Sequence, residues 1–157
     1  MHDSVRLTVP SVAESEHDRN PPHFQMAQQK NPDFSSYRES RQGIHGGHSH
    51  LHDPEALVKD IAIYYGMISM MTHYIGRIVD HLASLGLAEN TQVVFTSDHG
   101  HFYGHHGLTA KGPYHYEDVI RVPIIVRQPG KVPAGKIANA RQSLVDYAPT
   151  FLSCAGI

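Results

Sequence analysis

The feature that most restricts the fold of this chain is a long amphipathic run that ends against a short apolar one. Asp53-Pro54-Glu55 offers an N-cap, a proline suited to the first helical position and an acid in the first turn. From there Ile61, Tyr65, Ile68, Thr72, Ile75, Val79 and Leu82 recur at alternating steps of four and three. That spacing predicts a helix with one mostly apolar face as far as Leu85, closed by Gly86 as its C-cap. Residues 54–85, at 1.5 Å per residue, would span roughly 48 Å, so Gly66 or Gly76 is expected to mark a bend. A face of that length needs a sheet to pack against.

The sheet is expected from two short runs. Val93, Val94 and Phe95 are β-prone and predict a strand over 92–97, reached by the short polar connection Ala88 to Thr91. A second apolar run, Val122 to Val126, follows a His- and Gly-rich loop, and residues 146–155 predict a shorter last helix. The order helix, strand, loop, strand, turn, helix points to an α/β layered fold. The first strand delivers Asp98 and His99 into the loop, and Lys111 closes it. Open α/β sheets bind ligands at such strand ends. A carboxylate beside an imidazole can hold a divalent cation, and a lysine further along can face an anion bound to it.

The charge balance fits a locally built anion site. With 13 Lys+Arg against 15 Asp+Glu the formal charge is -2, so no general attraction to nucleic acid or to an anionic membrane is implied. A single cysteine, Cys154, excludes an internal disulfide, and no CxxC zinc spacing occurs. Residues 1–53 mix Pro, Ser, Asn, His and charge without periodicity, and read as a loop-rich segment preceding the α/β segment 54–157. The first residues lack the basic start and apolar core of a secretory leader. A leader encoded upstream remains compatible with this pattern, so the compartment and the oligomeric state are left open.

The blocks VVFTSDHG, GHHGLTAKGPYHYED, IRVPIIVRQPG and SLVDYAPTFLSCAGI, in that order, resemble the sulfatase family of the alkaline-phosphatase-like superfamily. IGRIVDHLASLGLAENT also resembles what precedes the metal motif there, so the likeness covers about residues 55–157. DHG alone is a weak motif. DHG with a lysine thirteen positions past its aspartate, RVP and DxxPT make a specific combination. The resemblance implies a middle-to-late segment of the catalytic domain, with part of an alkaline-phosphatase-like layered sheet flanked by helices.

The same resemblance implies roles. Asp98 and His99 match positions that help bind a divalent cation, calcium first, with manganese or zinc also compatible with an O,N donor pair. Lys111 matches the substrate-binding lysine, whose ammonium would neutralise charge on sulfate oxygens. His115, four residues on, would protonate the leaving alcohol and contact substrate. The implied substrate is a sulfate-ester small molecule or a sulfated glycan, and phosphate or phosphonate monoesters are the runner-up. Two departures stand out: His101 and His105 replace acids common in relatives, making the loop less negative. The larger one is an absence. No C/S-x-P-x-R motif, the source of the family's formylglycine nucleophile, occurs here, so the chain is expected to be a fragment that is inactive alone.

Plainer readings stand beside these. Asp98 and His99 can form a capped turn, Lys111 a solvated lysine, and His115 a packed ring. His45, His48, His50 and His52 would make the chain a noncatalytic metal-binding module, although their spacing fits no recognised zinc motif. Met67, Met70 and Met71 are expected to fill core gaps, and Cys154 to be a small buried apolar group.

Overall fold

A computed structural model describes residues 7–29, 33, 35 and 53–157. His45, His48, His50 and His52 lie outside the described residues. Helix α1 (Pro22–Ala27) follows a turn at residues 14–19, within the segment expected to be loop-rich. Helix α2 (Pro54–Ser84) starts as its sequence requires, with the Asp53 carboxylate accepting from the Ala56 amide at 2.9 Å and Pro54 in the first turn. It ends at Leu85, after which Gly86 takes a left-handed φ of 70°. The 31 residues form one continuous helix through Gly66 and Gly76.

Strands β1 (Val93–Thr96) and β2 (Ile124–Arg127) pair antiparallel, with Val93 opposite Arg127 and Thr96 opposite Ile124. Between them runs a 27-residue excursion, residues 97–123, far longer than a hairpin loop. It carries a tight turn at His105–Gly107 and the one-turn helix α3 (Glu117–Ile120). Its base is closed by the Gly100 amide, which donates to the Val119 carbonyl at 2.8 Å. A capping box between Ser143 and Asp146 then leads into helix α4 (Tyr147–Cys154).

The buried core sits beneath the excursion. Phe24 and Ala27 of α1 pack with Phe102, Leu108 and Tyr114. Phe24 meets Tyr114 edge-on, with centroids 4.7 Å apart and planes at 81°. Helix α2 buries Leu57, Ile61 and Ala62 in its first turns. Leu57 presses on Gly104, whose φ of 93° suits glycine and where a Cβ would strike the leucine methyl.

Two expectations about packing are corrected. The apolar face of α2 is fully buried only near its start and half-buried at Ile68, Ile75, Val79 and Leu82, while Met67, Met70 and Met71 are exposed instead of filling a core. Periodicity records that one face of a helix is apolar and carries no information about which neighbour covers it. Cys154 is likewise exposed, because α4 buries no residue among those described, and its sulfur accepts from Gln92 Nε2 at 3.8 Å.

Candidate functional site

Strand β1 ends at Thr96, whose hydroxyl meets the Tyr147 hydroxyl at 3.1 Å and so ties the strand end to α4. The next residues turn sharply. Ser97 Oγ donates to the His99 carbonyl at 2.8 Å, and the His99 amide donates to Asp98 Oδ1 at 2.9 Å. These bonds project the Asp98 carboxylate into solvent, where its side chain is 83% exposed. The His99 amide, with help from the charge of Lys111, holds Asp98 below the ordinary carboxylate value.

The His99 ring is fixed by its partners. Nδ1 donates to the Gly100 carbonyl at 2.8 Å, which assigns the proton to that nitrogen and leaves a lone pair on Nε2. Lys111 Nζ donates to that lone pair at 2.6 Å, and Asp98 Oδ2 stands 3.5 Å from the same atom. Asp98, His99 and Lys111 therefore converge, although Lys111 lies twelve residues beyond His99. The pairing of the excursion with itself makes this possible, since the Phe102 amide donates to Ala110 and the Gly104 amide to Leu108.

Asp98 and His99 line an open groove of about 1160 Å³ together with His115, Glu117, Arg121, Arg141 and Tyr147. His115 is exposed and shares this groove. Arg121 pairs loosely with Glu117 at 4.0 Å, and Arg121 and Arg141 add positive charge to the lining that also carries the Asp98 carboxylate. An aspartate oxygen and an imidazole Nε2 are chemically suited to two positions in the shell of a divalent cation. Among the described residues there is no group of three or more His, Cys, Asp or Glu that could complete such a shell.

A second set of polar residues lies behind the site and was not singled out by motif. His106 Nδ1 meets Glu16 Oε1 at 2.7 Å, and its Nε2 meets Asp118 Oδ2 at 3.0 Å. Its ring stacks on Tyr116 with centroids 3.7 Å apart and planes at 7°. The His106 carbonyl accepts from Nε2 of His17, which is 2% exposed, at 2.8 Å. Asn20 closes the network by donating to His17 Nδ1 at 2.9 Å and to the Tyr116 hydroxyl at 2.8 Å. Burial raises the Tyr116 phenol above its usual value, keeping it neutral. Glu16 and His106 are 90 positions apart, so no local spacing could have paired them.

The sulfatase family matches residues 5–157. An N-acetylglucosamine-6-O-sulfatase of Bacteroides thetaiotaomicron is 39% identical over 94 residues, covering 60% of this chain and 17% of that protein. An arylsulfatase of Clostridium perfringens is 39% identical over 106 residues, covering 66% of this chain and 22% of the relative. A solved structure of a protein in complex with its substrate D-glucosamine-2-N,6-O-disulfate is 43% identical, with a TM-score of 0.50 over 53% of this chain and 17% of that one. The chain thus spans less than a quarter of the length of these relatives. The helices and small sheet, taken with these matches, are those of an α/β, alkaline-phosphatase-like fold.

Proposed function

Because the chain belongs to the sulfatase family, we propose that the groove lined by Asp98 and His99, together with Lys111 bonded to His99, is one part of the cation and substrate site of a sulfuric-ester hydrolase. The convergence of an ionised carboxylate, an imidazole lone pair and an ammonium within 3.5 Å of His99 Nε2 carries this reading. Asp98 and His99 would hold a divalent cation, calcium first, which when bound would polarise a sulfate oxygen. Lys111 would neutralise charge on the sulfate as the sulfur–oxygen bond breaks. His115, on the same groove wall, would donate a proton to the departing alcohol. The arginines at 121 and 141 favour an anionic, polar substrate, and a sulfated sugar suits that wall. Formylglycine, the expected nucleophile, would come from sequence that these 157 residues do not carry, so the covalent step lies outside the chain.

Side-by-side turnover of aryl sulfate and aryl phosphate by the full-length gene product tests the assignment. Sulfate and phosphate esters both present tetrahedral oxygens to a cation and a lysine, so turnover must separate them. Preference for the sulfate ester is expected, and a strong preference for phosphate would overturn the sulfatase reading.

A further inference from the structure

We propose that His106 is a positioning residue whose imidazole, clamped between Glu16 and Asp118, sets where Lys111 stands relative to Asp98 and His99. The role rests on reading those three residues as the substrate and cation site. Both ring nitrogens of His106 face carboxylate oxygens, at 2.7 Å and 3.0 Å. A neutral imidazole has one N–H and serves one carboxylate, whereas the doubly protonated ring serves both. Glu16, His106 and Asp118 are each about a quarter exposed, so water screens the pairing incompletely. His105 Nδ1 adds a looser contact to the other Asp118 oxygen at 3.4 Å.

The clamp ties a turn 90 residues upstream to two parts of the excursion. Glu16 belongs to the turn before α1, His106 to the tip of the excursion and Asp118 to α3. His106 also has a φ of 57°, a left-handed conformation that a residue with a Cβ keeps only when its surroundings hold it. Its carbonyl is gripped by His17 Nε2 at 2.8 Å and Gln28 Nε2 at 3.3 Å, so ring and backbone are restrained from the same N-terminal turn and helix.

From this anchor the chain leads to both halves of the site. Five residues on lies Lys111, carried by the arm in which Leu108 and Ala110 accept from Gly104 and Phe102. On the other side, Asp118 packs directly against Gly100, the residue that follows His99. A Cβ at Gly100 would collide with the Asp118 carbonyl oxygen, and the Gly100 amide bonds to Val119 at 2.8 Å. Fixing Asp118 to His106 therefore fixes the base of the Asp98–His99 turn against the arm bearing Lys111. The near-parallel Tyr116 ring restricts any replacement to a flat group, and a guanidinium is flat, permanently charged and able to serve two carboxylates.

The test uses the full-length gene product with His106→Arg, His106→Gln and Glu16→Gln, read by calorimetry with calcium alone and by amide hydrogen exchange at Phe102, Gly104 and Gly100. His106→Gln should weaken calcium binding about tenfold and speed exchange at these amides. His106→Arg should restore both, and Glu16→Gln, a change outside the excursion, should reproduce part of the loss. Equal behaviour of the Gln and Arg variants, or wild-type protection in Glu16→Gln, would overturn the positioning role. If the wild-type protein binds no calcium, the cation reading fails by itself, and the exchange pattern still decides the clamp.

Discussion

The Lys111 ammonium lies 2.6 Å from Nε2 of His99, the one ring nitrogen whose lone pair is not committed to carrying a proton. A cation bound to His99 would need that same lone pair, and its charge would repel the ammonium. Lys111→Ala should therefore leave calcium affinity equal or higher while lowering turnover of aryl sulfate by at least about a hundredfold, a loss on the scale of an oxyanion-stabilising group. Calorimetry alongside steady-state kinetics on the full-length protein separates the two effects. A parallel fall in both would mean that Lys111 serves the cation site structurally.

Asp98 is held ionised further into acid than an ordinary carboxylate, chiefly by the His99 amide. A depressed native value means that the native state binds fewer protons than the unfolded one. The stabilising contribution is complete above the ordinary value of 3.8 and is lost as pH falls through the lower native value. Carbon-13 titration of the Asp98 carboxyl should give a midpoint below 3.8. A midpoint above it would show that the turn at Ser97–His99 is open in solution.

These two cases mark what could be read from the chain alone. The start of α2, its end at Gly86 and both strands were legible, because capping and periodicity are local signals. Asp98, His99 and Lys111 were singled out by the β-prone run that precedes them and by the resemblance to the sulfatase family, and the structure brings the three into contact. His17, Glu16 and Asp118 gave no such signal. His17 and Glu16 find their partner 89 and 90 positions away and come from a segment with no period, whereas Asp118 lies only 12 positions from His106 but belongs to no recognised motif. The exposed methionines were misread for a related reason, since burial belongs to the neighbour as much as to the residue.

Gly100→Ala is expected to be costly despite the smallness of the change. The added methyl meets the Asp118 carbonyl, a backbone atom that cannot rotate away. Destabilisation of about 1–3 kcal/mol should follow, as for other overpacked sites, with loss of protection at the Gly100 amide. Urea denaturation of the alanine variant measures it. Unchanged stability would mean that α3 can shift freely from the turn.

Phe102→Ala probes the core beneath the excursion. Phe102 is fully buried and meets Tyr114 and Tyr116 edge-on, at centroid distances of 6.1 Å in both cases. Its truncation should cost about 3–5 kcal/mol and show in a lowered urea midpoint. A loss below about 1 kcal/mol would indicate that the excursion collapses around the gap.

The bond from Gly100 to Val119 gives the excursion a neck. A segment pinched at its base can change length or content above the pinch while the strands below keep their register, because the entropy of the added chain is spent outside the ladder and grows only slowly with length. Chain inserted on the far side of that bond would leave Val93 opposite Arg127 and Thr96 opposite Ile124.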